Sequence, residues 1–589
     1  MAGVRSLLVA TAGHVDHGKS TVVRHLTGRD PDRLAEEQRR GLTIDLGFAV
    51  AALPSGAEVS IVDVPGHARY LSTMVAGVGA VRAALLVVSA VEGWRAQSEE
   101  HLRVVDLLGV PDGVVVLTRS EAAGRQRGAE VEAEVRRRVE GTVLAGAEVV
   151  AVDLPAGHGH DTLLAALERL VARAAPAVDR GRPRLWVDRC FTVAGAGTVV
   201  TGSLADGPLV VGATVEMGGE AFSHPGRIRG LEVHGRAVER ADPGHRVAVN
   251  LAGVGRGDIG RGAVVVEPGR WLRTRTVDVA LSLLPRSGPV RSGRGAHLLA
   301  VGTSEQAVHL RVLGGGTIQP GTTAGARLRF ERALPLLPGD RFVLRDTGRA
   351  ATAGGGVVLD VDPVLPAARA APDLDPLRVV AERGWVAVTD LERRTGAPVP
   401  ATVEGWVASP EAWASARARL ASAVAGAGPL GLALDSLDER DRLVLAALEG
   451  MSVEGGRARP AGAEALDSPY LRALRADPFR PPSPAEHGCP PEELRALRSA
   501  GLAVHHDGTW FAADAADRAA AVVAGLLADH PEGVTVAQAR DALGTTRRWV
   551  LPLLALLDGR GVTRRRGAVR VGGPRLPGPG PGPGGEGGG

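Results

Sequence analysis

The stretch "GHVDHGKST", residues 13–21, follows the apolar run "LLVATA" and opens the amphipathic run "STVVRHL". Gly13 to Ser20 fit the spacing G-x-x-x-x-G-K-[ST], and a strand that turns through glycines into a helix is where this spacing has a mechanism. Glycines let backbone N–H groups converge on one anionic group, and the helix N-terminus adds its positive end. The pattern therefore commits the N-terminal part to a strand–loop–helix crossover over a parallel sheet. Lys19 is the sole lysine in the chain, and the other 68 basic residues are arginine. A slim ammonium fits a loop wrapped closely round a phosphate, whereas a planar guanidinium does not. Gly13, His14, Val15, Asp16, His17, Gly18, Lys19, Ser20 and Thr21 are the candidate phosphate-binding residues.

A chain of 589 residues exceeds what one hydrophobic core supports, so several domains are expected. Residues 1–175 alternate apolar strand runs ("VSIVDV", "AALLVVSAV", "GVVVLT", "EVVAVD") with helical segments, the signature of an α/β domain. From 183 to 362 short β runs broken by Gly, Pro and Asp predict two antiparallel barrels, 183–270 and 271–362. After a Pro/Ala linker the chain becomes helical with brief strands. In 532–573, Thr535 and Gln538 predict a capping box, Gly544 ends a short helix, and "TTRRWVLPLLALLD" forms a second helix with a kink at Pro552. The hairpin "GVTRRRGAVRV" then completes a winged helix, a nucleic-acid-binding module. Similar segments predict an array: winged helices over 372–435, over 436–515 (one or two modules) and over 516–573. The Gly/Pro-rich tail, 574–589, is expected to be disordered.

Two further motifs belong with the first. "DVPGH", residues 63–67, follows the strand "VSIV" and puts Asp63 where it holds a Mg²⁺ shell through water, with Gly66 against the terminal phosphate. "RRGLTIDLGF", residues 39–48, sits in the position of a switch loop, where Thr43 joins Ser20 on the metal. Together "GHVDHGKST", "RGLTIDLGF" and "DVPGHARY" resemble the translational GTPases of the elongation factor Tu class. "TIDLGF" resembles the selenocysteine-specific members. The resemblance implies GTP and Mg²⁺ as ligands and ribosome-stimulated hydrolysis. It implies that His67 orients the attacking water behind a gate of Val15 and Leu42, and that Asp16 lies beside the phosphates. Relatives read the base with Asn or Thr, then Lys, a variable residue and Asp. Here the strand "GVVVL" leads to Thr118, Arg119, Ser120 and Glu121, and the carboxylate fork is retained on a longer stem. The later loop, "AVDLPAGHGHD", also departs from the family pattern, and no base contact is assigned to it.

"RLWVDRCFTVAGAGTVVTGSL", residues 184–204, resembles the second domain of these factors, which holds the aminoacyl end of charged tRNA. Asp188 and Arg246 are candidates for recognising a selenolate there, with the stabilisation of barrel loops as the alternative. Between 516 and 572 nine arginines face five acidic residues, and Arg547, Arg548, Arg564, Arg565 and Arg566 are expected on one face as RNA contacts. Trp549 beside them is a stacking or a core residue. The resemblance extends to the C-terminal extension of the selenocysteine factors and implies selenocysteinyl-tRNA, the ribosome and an mRNA hairpin as partners. An initiation-factor-like GTPase, or a nucleotide-gated RNA-binding regulator without useful hydrolysis, stays open as an alternative. The first apolar run reads as a strand and not a signal peptide, and the longest is too short to span a bilayer. Two cysteines and a net charge of +3 suggest neither a metal cluster nor a global field, so the expectation is a cytoplasmic monomer without membrane contact.

Overall fold

The computed structural model describes residues 6–31, 43, 45–66, 71–79, 81–193, 195, 197–218, 224–255, 257–427, 431–461 and 468–577. The chain forms two compact units, Met1–Ser409 and Pro410–Gly589.

The first unit begins with six strands: β1 (Ser6–Ala12), β2 (Gly47–Ala52), β3 (Glu58–Asp63), β4 (Ala83–Ser89), β5 (Gly113–Thr118) and β6 (Glu148–Ala151). Their order is β2-β3-β1-β4-β5-β6. Only β2 runs antiparallel to its neighbour. Side chains alternate across the sheet: Leu8, Leu86 and Val115 face the helices Leu71–Val78, Ala96–Leu107 and Ser120–Val139. Leu7, Leu85 and Val114 face the helices Lys19–Thr27 and His160–Arg173 on the other side. Covering on both faces explains why the strands read as continuous apolar runs. β1 lies between β3 and β4, so the chain leaves it to opposite sides, and the crevice beyond the carboxyl ends at such a reversal is where these sheets bind ligands.

Both expected barrels are present. Residues 184–266 form a seven-stranded antiparallel sheet that closes where Thr214–Gly218 pairs with His224–Val233. Residues 274–360 form a closed six-stranded barrel. Buried Arg184 joins the two, donating to Asp206 of the first at 2.8 and 3.0 Å and to Asp340 of the second at 2.6 and 2.7 Å. The rings of Trp186 and Trp271 lie 5.6 and 4.7 Å from its guanidinium. The α/β domain meets the first barrel through polar groups. His234, in a left-handed turn, bridges Glu58 and Ser60 at 2.5 Å each, and Asp45 pairs with Arg189 at 3.2 Å and Arg261 at 3.3 Å.

The helical modules differ in one boundary from the expectation. Helices Pro376–Arg383 and Val388–Thr395, with the hairpin Trp385–Ala387 and Trp406–Ala408, complete a module inside the first unit. Leu432–Ala433 instead pairs with Arg457–Ala458 in the next sheet, so the module predicted over 372–435 stops before 410. The helix Pro410–Gly426 belongs to the second unit, and its Arg419 pairs with Asp441 at 2.6 Å. The segment 436–515 holds parts of two modules. One carries the three-stranded sheet that includes Leu432–Ala433, and the other has helices Pro469–Ala476 and Pro491–Ser499 with the hairpin Ala503–His506 and Thr509–Ala512. The last module comprises helices Ala515–Asp529, Val536–Ala542 and Arg547–Gly559 and the hairpin Thr563–Arg566 and Val569–Gly572. Its capping box forms as expected between Thr535 and Gln538, and the helix Arg547–Gly559 runs unbroken through buried Pro552. Of the tail, residues 578–589 lie outside the described residues, while Leu576 packs against the module's core.

Candidate nucleotide site and nucleic-acid interface

The loop after β1 is fixed by backbone geometry that few residues adopt. Gly18 stands at φ 88° as the cap of the helix Lys19–Thr27, and a Cβ on Gly13 would lie 2.2 Å from the Val87 carbonyl oxygen. Lys19 is buried and donates through Nζ to the carbonyls of Gly13 at 3.1 Å and His14 at 2.8 Å. Gly66 lies against the same group: a Cβ there would come within 2.5 Å of Lys19 Nζ and 2.7 Å of the Val15 amide nitrogen. The loop and the segment after β3 are therefore packed together at a point where only glycine fits.

Ser20, Thr43 and Asp63 converge. Ser20 Oγ donates to Asp63 Oδ2 at 2.8 Å and lies 3.1 Å from Thr43 Oγ1. Thr11 Oγ1 donates to Asp63 Oδ1 at 2.6 Å and accepts from the Val64 amide at 3.0 Å. Two hydroxyls and a buried carboxylate, all hard oxygen donors beside a phosphate-type loop, fit Mg²⁺, which keeps several waters and takes few protein ligands. His67 and Leu42 lie outside the described residues, while Val15 is placed in the loop.

Two residues that sequence reasoning missed hold the loop from behind. On the helix Ala96–Leu107, Gln97 Oε1 accepts from the Val15 amide at 3.1 Å and His101 Nδ1 accepts from the Gly13 amide at 3.0 Å. One helical turn apart, they grip alternate loop amides. Burial, reinforced by the Lys19 charge, pushes the His101 imidazole down to about 3, so it is neutral at pH 7. An accepting Nδ1 requires the proton on Nε2, and His101 also bonds the Gly66 backbone, which ties the loop to the segment after β3. His17 is likewise pushed down to about 3, by burial first and neighbouring His14 second.

At the opposite end, Thr118 closes β5 and donates to the His17 carbonyl at 2.7 Å. Arg119, at φ 57°, donates to the Asp16 carbonyl at 3.0 Å and pairs with Glu92 at 3.3 Å, so its guanidinium braces the loop. Asp16 itself stands at φ 63°. Glu121 lies in the first turn of the helix Ser120–Val139, exposed to solvent, with His158 Nδ1 3.9 Å away. His158 comes from the loop "AVDLPAGHGHD", which departs from the family pattern and to which the sequence alone assigns no base contact.

In the first barrel Asp188 and Arg246 are brought together. Arg246 forks onto Asp188 at 2.8 and 2.9 Å and donates to Thr201 Oγ1 at 2.7 Å. Its guanidinium lies 3.5 Å from the centre of the Phe48 ring on β2, with Arg189 at 5.2 Å from that ring. Arg189, next to Asp188 in sequence, adds a further cation to this patch.

In the last winged helix Arg547, Arg548, Arg564, Arg565 and Arg566 are all exposed. Consecutive strand residues alternate, so Arg565 points away from Arg564 and Arg566 rather than all three sharing one face. Arg570, paired with Arg565 across the hairpin, turns inward to Asp558 at 2.9 Å and anchors the hairpin to the helix. Trp549 is half-buried beside Arg548, 5.3 Å from its guanidinium.

Among the described residues no helix is long and apolar enough to cross a membrane, and no cluster of three or more His, Cys, Asp or Glu forms a metal site.

The family models that match are the elongation factor Tu GTP-binding domain over residues 4–173 and elongation factor Tu domain 2 over 197–266. The selenocysteine-specific elongation factor β-barrel domain matches over 289–364 and the elongation factor SelB winged helix over 525–571. The chain is 38% identical over 355 residues to the selenocysteine-specific elongation factor of Desulfomicrobium baculatum, covering 60% of this chain and 56% of that one. It is 35% identical to that of Escherichia coli over 65% of this chain and 62% of the other. It thus spans little more than half the length of these relatives. Elongation factor Tu 2 of Streptomyces avermitilis is 31% identical and is covered over 97% of its length by 60% of this chain. In fold, a bacterial selenocysteine-specific elongation factor crystal structure superposes with TM-score 0.68 at 24% identity, over 96% of this chain and 99% of that one. With the phosphate loop, two barrels and terminal winged helix in the order those domains follow, the chain belongs to the elongation factor Tu class of translational GTPases, in its selenocysteine-specific branch.

Proposed function

We propose that this chain binds GTP with Mg²⁺, hydrolyses GTP on the ribosome, and delivers selenocysteinyl-tRNA at UGA codons while its last winged helix holds an mRNA hairpin. The observation that carries this reading is the presence in one chain of the Lys19, Ser20, Thr43 and Asp63 cluster and an arginine-rich winged helix beyond two barrels. Ser20 and Thr43 would hold the metal directly and Asp63 through water. Bound Mg²⁺ neutralises charge on the β- and γ-phosphates.

The protein's own part is positioning. Lys19 places a compact charge on the phosphates, Thr11 orients Asp63, and His101 with Gln97 keeps the loop rigid. His67 orients the attacking water behind Val15 and Leu42, and Gly66 reports the terminal phosphate to the switch segment. Asp188, Arg246 and Arg189 serve the aminoacyl end, where a selenolate meets guanidinium charge. Arg547, Arg548, Arg564 and Arg566 serve RNA phosphates, with Arg565 on the other face of the hairpin and Trp549 stacking on an unpaired base. A cytoplasmic monomer suits these tasks. The initiation-factor-like alternative is weaker: translation initiation factor 2 subunit gamma of Thermococcus onnurineus aligns with 44% of this chain, and the winged-helix match lies with the selenocysteine factors.

Two measurements on the full chain test the reading. Selenocysteinyl-tRNA should be protected from spontaneous deacylation with GTP and not with GDP. In His67→Ala, single-turnover hydrolysis on ribosomes should fall about a hundredfold or more with GTP affinity unchanged. Equal protection of elongator aminoacyl-tRNAs would overturn the selenocysteine assignment.

A further inference from the structure

We propose that His158 reads the nucleotide base: its ring N–H donates to the exocyclic oxygen of guanine beside the Glu121 carboxylate, which accepts from the base's ring and amino N–H groups. The proposal rests on the reading of this site as a GTP site.

The backbone around His158 is fixed while its side chain is exposed. Its amide donates to the Asp153 carbonyl at 2.9 Å, and the Asp153 amide donates back to the His158 carbonyl at 3.0 Å. Gly157 and Gly159 flank it at φ 81° and 79°, and a Cβ on Gly159 would lie 2.6 Å from the Ala151 carbonyl oxygen at the end of β6. The Ser120 amide donates to the Val152 carbonyl at 3.2 Å, which locks this loop to the start of the helix carrying Glu121. Two rigid supports thus present Glu121 and His158 with 3.9 Å between the facing atoms and about 60% of each side chain open to solvent. An exposed pair of this kind contributes little to folding, so stability does not explain the rigid presentation.

The chemistry fits one purine. Guanine offers an acceptor oxygen next to an N–H and then an amino group, and the couple offers a donor next to an acceptor fork. Adenine offers the reverse order, an amino group next to an unprotonated ring nitrogen, and meets a mismatch at both positions. The Asp153 amide is already committed to the His158 carbonyl and does not serve the base oxygen. The longer stem of Glu121 carries the carboxylate out to where the imidazole stands beside it.

The test is competition of GTP, 6-thio-GTP and ATP against a fluorescent GTP analogue on the full chain, with thermal melting to verify folding. His158→Ala should weaken GTP about tenfold or more, the cost of leaving one base acceptor unpaired. 6-thio-GTP, whose sulfur accepts poorly, should change little, so the preference for GTP over it should collapse. His158→Asn, which keeps an N–H, should recover part of the loss. The proposal is overturned if His158→Ala leaves GTP affinity and the sulfur discrimination intact, or if GTP, 6-thio-GTP and ATP weaken alike. A wild-type chain that does not prefer GTP over ATP would instead remove the underlying reading of a GTP site.

Discussion

The phosphate loop and the C-terminal hairpin are both proposed to meet phosphate groups, and they are built in opposite ways. The loop carries one buried ammonium, closed in by Gly66 and braced by Gln97, His101, Thr118 and Arg119. The hairpin and its helix carry five exposed guanidiniums on a frame anchored by the Arg570–Asp558 pair. In a closed cradle the shape of the cation decides, because no solvent relaxes a misfit. On an open surface each cation adds its own counterion release, and number decides more than shape. The distribution of lysine agrees with this contrast: the chain keeps it only where arginine cannot go.

Three substitutions probe that contrast. The largest effect is expected from Lys19→Arg, which preserves charge and should lower GTP affinity about a thousandfold, the scale of a lost buried charge contact. Isothermal titration would check it, and near-normal affinity would erase the difference between cradle and surface. Next, Arg547→Glu with Arg548→Glu should weaken binding of an mRNA hairpin by about 10- to 100-fold. It should also reduce the slope of log affinity against log salt by about 2, with GTP affinity unchanged. Filter binding across a salt series reads both.

The smallest effect concerns pH. The unfolded imidazole of His101 takes a proton near 6.5, but the buried one only near 3. Stability is therefore full above pH 6.5 and drains as pH falls toward 3, with about 2 kcal/mol lost per such histidine at pH 5. Urea unfolding of the nucleotide-free chain at pH 7.5 and 5 should show that loss. His101→Gln should show less of it, the remainder belonging to His17, His14 and His297, whose imidazoles burial also pushes down. Equal pH sensitivity in both proteins would mean that the His101 ring is not sealed behind the loop.

What the sequence made legible was contiguous. Gly13 to Ser20 carry their mechanism in one stretch, and Asp63 and Thr43 announce themselves by place relative to a strand and a switch segment. The capping box at Thr535 is local for the same reason. Gln97 and His101 were not legible, because a helix residue some 80 positions away becomes a loop brace only when the sheet brings its helix alongside. His158 sat inside a stretch that departs from the family pattern, and its proximity to Glu121 depends on the pairing of β5 with β6. The adjacency of Arg189 to Asp188 is the one sequence signal that places a further cation at this patch. The boundary before Pro410 was missed because Leu432 pairs forward to Ala458, a choice of partner that local composition does not encode.

The way Arg184 is buried has a mechanical consequence. Parting the barrels takes Asp340 away from Arg184 and leaves the buried guanidinium with Asp206 alone, so the separation is expensive, about 3–5 kcal/mol on the scale of a broken buried ion pair. The seam from the α/β domain to the first barrel runs through the largely buried His234 with Glu58 and Ser60, and through Asp45, which is partly open to solvent. Arg184 therefore ties the two barrels into one arm, and the α/β domain holds that arm by two seams, an apolar one in which Ala300 and Val343 of the second barrel join its core and a polar one to the first barrel. The polar seam includes Asp45 and Phe48, inside the switch segment that holds Thr43, so it begins two residues from the candidate metal site.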